Sequence, residues 1–353
     1  MSARDEAVRR LWEAATGGDE RGAVRTVREA LDAGMGPEEV LLDVIAAVQR
    51  RVGEEWAANR LSVADEHAAT AIDERAVAAV CLHPAARTQV TRGRITVACV
   101  DGEWHALPAR LLTEVLRLRG WQVDHLGAQV PGPHLVKQVH RGGPDAVALS
   151  GSLVTRLPAA HAAITACQAA GVPVLVGGAA FGADDRTARR LGADAWAADA
   201  RGAADLLAAG LPAPSPLRVA RDALPHLADQ EYTLVARARP QLVRDAIGDL
   251  AGVFPPFAEY DERRREHTAE DVAHVVEHLS CALYMDDREM FLGFVRWTAG
   301  ILENRGVPAY ALAVVLRLLA GYLRDFPRAT ALLDGARAHL DRSLSTAAQE
   351  NTR

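Results

Sequence analysis

The sequence predicts a multidomain chain with a four-helix bundle, then a Rossmann-like, flavodoxin-like α/β domain, then an all-α domain. Three observations predict this. Residues 1–88 show only helical apolar spacing. Residues 89–215 alternate β-branched apolar runs with helical patterns, as a parallel sheet requires. Beyond the linker prolines Pro212, Pro214 and Pro216, residues 216–353 return to helical periodicity.

Within residues 1–88, Leu11, Ala14 and Ala15 lie on one face of a first helix that runs to Thr16. Asp19 can cap a second helix, which Gly34 ends. Pro37-Glu38-Glu39 suits the first turn of a third, with acidic residues complementing the dipole. Val40, Leu41, Val44, Ile45 and Val48 continue it at helical spacing. A fourth helix spans about Val63 to Leu82 and stops before Pro84. Short loops between four helices predict a bundle.

In the second domain, strands are predicted at 94–100, 122–126, 145–150, 172–176 and 194–197. Helices are predicted at 107–119, 133–141, 157–170, 184–191 and 202–209. Gly120, Gly143, Gly171 and Gly192 each follow a helix, where a left-handed residue is easy only for glycine. The last domain reads as helices at about 230–250, 268–283, 286–304, 308–325 and 328–343.

Bulk properties exclude several classes. A net charge of −6 gives no global attraction to nucleic acid. No apolar run reaches membrane-spanning length and no signal-peptide core follows Met1, so a cytoplasmic protein is expected. Cys81, Cys99, Cys167 and Cys281 are widely spaced, which fits reduced, buried thiols.

Candidate chemistry lies at the carboxyl ends of the predicted strands, where open α/β sheets place ligands. The first is followed by Asp101-Gly102-Glu103-Trp104-His105-Ala106-Leu107-Pro108. A carboxylate two residues before a histidine can set its tautomer and leave the other ring nitrogen for a metal. Val130 follows the second strand, Ser150-Gly151-Ser152-Leu153-Val154-Thr155 the third, and Gly177-Gly178 the fourth. Small and hydroxylated residues there leave a slot for a flat or elongated polar ligand. A dinucleotide is disfavoured, since G-x-G-x-x-G is absent. In the bundle, Trp56 precedes Glu66-His67 by ten residues. In the last domain His274 and His278 share a helix face, with Tyr284, Arg288 and Trp297 following. Such a lining suits a large tetrapyrrole, with arginine answering propionates.

These elements together resemble cobalamin-binding modules, in which a helical cap precedes a Rossmann-like B12 domain. Glu103-Trp104-His105 matches the family's acidic-x-His loop, with Pro108 standing where glycine is usual. Ser150-Gly151-Ser152 and Gly177-Gly178 match its later elements in order and spacing. The resemblance implies that His105 is the lower axial cobalt ligand and Glu103 its orienting partner. Ser150, Ser152, Gly177 and Gly178 would line the slot for the nucleotide tail, with Trp104, Val130, Leu153 and Thr155 as further candidate cofactor contacts. Trp56, Val63, Glu66 and His67 would cover the upper face, a spacing similar to that in adenosylcobalamin photoreceptors. Ala57 stands where light-sensing relatives carry a histidine able to take the upper position. Pro suits a first helical turn, so Pro108 is expected to be tolerated.

The layout with a long helical tail looks like the photocobilins, which pair a B12 domain with a biliverdin-binding helical domain. That implies a light sensor, not an enzyme, using adenosylcobalamin and biliverdin. It would signal through a light-dependent homo-oligomer and a downstream protein, without direct contact to nucleic acid or membrane. His274, His278, Tyr284, Arg288 and Trp297 are the candidate bilin contacts, with non-covalent binding expected despite Cys281. The alternative is a corrinoid protein that carries methyl groups for a methyltransferase.

Overall fold

The computed structural model describes residues 2–214 and 224–350, with side chains described to residue 342. The chain forms two compact units, Met1–Ala223 and Leu224–Arg353.

The first unit opens with helices α1 (Ala3–Thr16) and α2 (Glu20–Asp32). Ser2 and Asp5 form a capping box on α1, and Asp19 caps α2 by accepting from the Gly22 N–H. Helix α3 runs without a break through Pro37–Glu39, a π-helical turn Val40–Ile45, and Ala46–Ala57. The apolar spacing predicts the helix but not its widened turn. Helix α4 (Val63–Cys81) starts on a second capping box, Ser62 with Asp65. Leu11, Val27, Val44, Val48, Ile72 and Val80 are buried where the four helices meet.

Five parallel strands follow: β1 (Arg94–Cys99), β2 (Gln122–Gly127), β3 (Ala146–Ser150), β4 (Val174–Gly177) and β5 (Ala195–Ala197). Their order is β2-β1-β3-β4-β5, the flavodoxin-like arrangement, with β1 beside β3 at the switch point. The connecting helices are α5 (Leu107–Leu118), α6 (Gly132–Gly142), α7 (Leu157–Ala169), α8 (Arg186–Arg190) and α9 (Ala200–Ala209). Gly120, Gly143, Gly171 and Gly192 all hold positive φ after their helices, as the spacing predicts.

One apolar core crosses from the bundle into the sheet. It joins the bundle helices to Ile95, Val97 and Cys99 of β1, Val115 and Leu116 of α5, and Ala203 and Leu207 of α9. A charged cluster reinforces the same junction. Glu38 of α3 accepts from Arg119 at 2.9 and 3.0 Å and from Arg201 at 3.2 Å. Arg201 also bonds Asp43 at 2.7 and 3.0 Å, and Arg119 reaches Asp205. Asp43 lies in the π-helical turn, so that turn presents its carboxylate to α9.

The second unit is helical among its described residues: α10 (Glu231–Val253), α11 (Glu262–Met285), α12 (Arg288–Asn304), α13 (Tyr310–Tyr322) and α14 (Pro327–Glu350). Its core rests on Val235, Phe257, Val276, Phe291, Leu316 and Leu333. Glu231 ties its ends together by accepting from the Arg328 and Ala329 backbone N–H groups at 3.1 and 2.9 Å. No helix among the described residues is long and apolar enough to cross a membrane.

Asp73 of α4 is the exception inside the bundle. It is wholly buried, and neither carboxyl oxygen has a hydrogen-bond partner among the described residues. Burial pushes its pKa up to about 8, from 3.8. The folded protein therefore holds a proton that the unfolded chain releases near pH 4. Stability from this group falls as pH rises from about 4 to about 8, by at most about 1.4 kcal/mol per unit. Thermal melts of Asp73→Asn and wild type should show the variant gaining relative Tm across that range. A difference independent of pH would contradict the assignment.

Candidate functional site

The loop after β1 is folded around one carboxylate. Glu103 is completely buried and accepts four hydrogen bonds. Its Oε1 lies 2.6 Å from Nδ1 of His105 and accepts from the His105 backbone N–H at 2.9 Å. Its Oε2 accepts from the backbone N–H groups of Ser152 at 2.6 Å and Leu153 at 2.8 Å. Burial works most strongly against its ionisation. The bonds from the His105 side chain and from the backbones of His105, Leu153 and Ser152 together outweigh that, and hold the pKa down to about 2. Glu103 is thus an anion at any physiological pH. A proton on Nδ1, donated to this anion, leaves the Nε2 lone pair for an outside ligand. The imidazole is about 35% exposed, so that nitrogen is reachable.

Neighbouring loops brace this pair. The Glu103 carbonyl accepts from the Gln129 N–H at 2.8 Å, tying in the loop after β2, where Val130 is buried. Gln129 takes a positive φ to do so. Pro108 sits in the first turn of α5, where a missing N–H costs nothing. After β4, Gly178 holds φ +98°, and a Cβ there would lie 2.4 Å from the Gly151 carbonyl oxygen. A Cβ at Gly177 would lie 3.0 Å from the Ala197 carbonyl. These turns therefore need glycine so that backbone can meet backbone. Ser150 is buried at the end of β3, while Ser152, Leu153 and Thr155 are half-buried beyond it.

The bundle meets the same loop. Trp104 is half exposed and stacks on His105, with ring centroids 3.9 Å apart. The His67 ring of α4 lies with its centroid 5.8 Å from that of Trp104. Behind it, His67 Nδ1 is 2.6 Å from Glu66 Oε2, Thr70 donates to Glu66 at 2.9 Å, and Gln49 donates to Thr70 at 2.8 Å. A polar line thus runs from the bundle interior to the His105 loop. Trp56, half-buried at the end of α3, and exposed Val63, at the start of α4, belong to this same end of the bundle.

In the second unit the candidate tetrapyrrole residues pack locally. His278 donates from Nδ1–H to the His274 carbonyl at 2.8 Å. Its ring stacks on Phe294 at 3.6 Å. Burial lowers its pKa to about 4. His274 and Arg288 are exposed, and Arg288 lies against Gly335 of α14. Tyr284 packs edge-on to Tyr232, and Trp297 is half exposed.

Sequence reasoning passed over Arg156, Gln129 and Gly102. Only Gly102, following Asp101 in a strand-end loop, carried a signal that could have marked it. Among the described residues no group of three or more His, Cys, Asp or Glu is placed to hold a metal ion. A metal at His105 would need its other ligands from a cofactor that brings them.

Comparison with known proteins decides which cofactor. Residues 93–208 match a family model described as B12 binding domain, and residues 7–80 match a second model with the same description. The first unit carries a two-part B12-binding module. The chain is 26% identical over 217 residues to the trimethylamine corrinoid protein of Methanosarcina barkeri, covering 60% of this chain and 99% of that protein. It is 32% identical over 183 residues to the HTH-type transcriptional repressor CarH of Myxococcus xanthus, covering 50% of this chain and 60% of that protein. The solved monomethylamine corrinoid protein of Methanosarcina barkeri shares the fold, at a TM-score of 0.50 and 21% identity. That match covers 57% of this chain and 96% of that one. The helical unit from Leu224 onward lies beyond both family matches. The donor set, one reachable imidazole held by a buried carboxylate, fits a corrinoid, whose macrocycle would supply the remaining nitrogen ligands to the metal.

Removing the Glu103 carboxylate would leave the backbone N–H groups of His105, Ser152 and Leu153 without their acceptor as well as freeing the His105 ring. Glu103→Ala is expected to cost at least about 2 kcal/mol at pH 7. The stabilisation is complete above pH 4.5, the ordinary value, and is lost as pH falls toward about 2. Denaturant melts should therefore show the gap between wild type and variant narrowing below pH 4.5. A gap that does not change with pH would show that the charge is not what holds the loop.

Proposed function

We propose that His105 is the lower axial ligand of a bound corrinoid held in a base-off, His-on state. We further propose that the chain carries methyl groups for a methyltransferase. One observation carries the axial assignment: a buried anion already engages Nδ1 of His105, so Nε2 is the nitrogen left to bind. A corrinoid would supply a cobalt that takes and gives up an alkyl group, by transfer to a partner or by photolysis of the cobalt–carbon bond. The chain's own residues do the rest. Glu103 fixes the tautomer and rotation of His105 through the hydrogen bonds that also pin the Ser152–Leu153 loop. Val130, Ser150, Ser152, Leu153, Thr155, Gly177 and Gly178 line the slot for the nucleotide tail. Trp56, Val63, Glu66 and His67 form the bundle end that would cover a corrinoid held by His105. The carrier reading is supported by likeness along nearly the whole length of the trimethylamine corrinoid protein. On this reading the chain is a substrate-bearing protein, and the transferase is its partner.

A second reading is favoured by two features: the His67–Trp104 contact joining the bundle to the cobalt-ligand loop, and the separate helical unit beyond the B12-binding module. It is an adenosylcobalamin light sensor, with biliverdin held among His274, His278, Tyr284, Arg288 and Trp297. Loss of the adenosyl group would release the bundle end and change the oligomer.

The two separate by hydrodynamics and transfer chemistry. The carrier reading expects protein loaded with adenosylcobalamin to elute identically in gel filtration before and after green light. It also expects protein loaded with methylcobalamin to give its methyl group to a thiol acceptor when a methyltransferase is supplied. A light-dependent shift in elution, or a red-absorbing band on adding biliverdin, would sink the carrier reading in favour of the sensor. In either case His105→Ala should weaken cobalamin binding by at least about tenfold, since losing even a group that only orients a metal ligand costs about 10- to 100-fold.

A further inference from the structure

Arg156 differs from the other partly buried arginines of the first unit. Arg94, Arg110, Arg119 and Arg201 each lie against a carboxylate. Arg156 has no such partner among the described residues, and its Nε is buried without a hydrogen-bond acceptor. It ends the short helical turn Val154–Arg156 that follows Ser150-Gly151-Ser152. From there its side chain lies over the loop after β1. A Cβ built at Gly102 would meet Nε at 3.2 Å and Cδ and Cζ at 3.3 Å. Gly102, at φ +75°, therefore makes room for the guanidinium.

The nearby carboxylate does not answer it. Both Glu103 oxygens are already taken by His105, Ser152 and Leu153. A cation is thus held between the β1 and β3 loops with a buried donor facing no protein acceptor. Keeping such a donor costs stability unless an acceptor arrives from outside. The guanidinium fork matches an oxyanion such as a phosphate.

Resting on the corrinoid reading, the chemistry of that anion follows. The side chains of the cobalamin corrin are neutral amides, and the phosphodiester of the nucleotide tail is the group that carries negative charge. We propose that Arg156 binds this phosphodiester and so selects corrinoids that carry a nucleotide tail over those that lack it.

The test is absorbance titration of wild type, Arg156→Gln and Arg156→Lys with hydroxocobalamin and with cobinamide, which has no nucleotide tail. Circular dichroism checks each variant's fold. Arg156→Gln should bind hydroxocobalamin about ten- to a hundredfold more weakly, the range for a charge-assisted bond, and cobinamide as wild type does. Arg156→Lys keeps the charge but loses the fork, so it should show a smaller loss for hydroxocobalamin alone. It gives the answer if the Gln variant does not fold. Equal losses for both corrinoids would make Arg156 a brace for the loop and overturn the proposal. No loss for either would also overturn it, including the case where inorganic phosphate alone protects wild type from heat through Arg156. If wild type binds hydroxocobalamin and cobinamide equally well, the tail contact fails while the corrinoid reading stands. If wild type binds neither, the corrinoid reading itself fails.

Discussion

A single buried carboxylate organises the site. Glu103 is fully removed from water yet stays ionised, because three backbone N–H groups and one imidazole converge on it. Those bonds do two jobs at once. They clamp the loop after β1 to the loop after β3, across the switch point of the sheet. They also leave His105 with one committed nitrogen and one free to bind. The cost of burying a charge is offset only while every bond is made, so loop geometry and ligand geometry are the same constraint. The close turn at Gly178 belongs to the same arrangement, since it packs the β4 loop backbone to backbone on Gly151 of the β3 loop.

The bundle is fastened to the sheet unevenly. Near the start of α3 it shares an apolar core with β1, α5 and α9, and the Glu38, Asp43, Arg119 and Arg201 cluster locks that junction. At the start of α4 the join is slighter, a ring contact between His67 and Trp104. A ligand seated at His105 would press on this second, looser join. That makes the α4 end the part of the bundle in direct touch with the His105 loop.

Most of the fold was legible because it obeys local rules. β-branched runs marked the strands, and a glycine after each helix marked where the chain had to turn left-handed. The bundle helices showed a cap at Asp19 and their apolar stripes. The Glu103-x-His105 spacing was legible for the same reason: the two groups lie close in sequence, and their chemistry needs that closeness. What escaped depends on distance along the chain. Arg156 looks like any exposed arginine until its seat on Gly102 and its unmet Nε are seen. Asp73 breaks an apolar face only if its neighbours are known to close over it. The His67–Trp104 contact joins residues whose separation no local pattern encodes. The π-helical turn at Val40–Ile45 leaves the apolar spacing almost unchanged, so only its effect on Asp43 reveals it. In the second unit helical periodicity located the helices, but no motif ties His274, His278 or Arg288 to one ligand.

The central claim is that His105 supplies the axial nitrogen to cobalt. Electron paramagnetic resonance of the protein reduced to the cobalt(II) corrinoid tests it directly, because an axial nitrogen splits the cobalt lines according to its nuclear spin. The account predicts that growing the protein on histidine labelled with the heavy nitrogen isotope changes that splitting, and that His105→Ala abolishes the change. A splitting indifferent to the label, as from the cofactor's own benzimidazole, would contradict it.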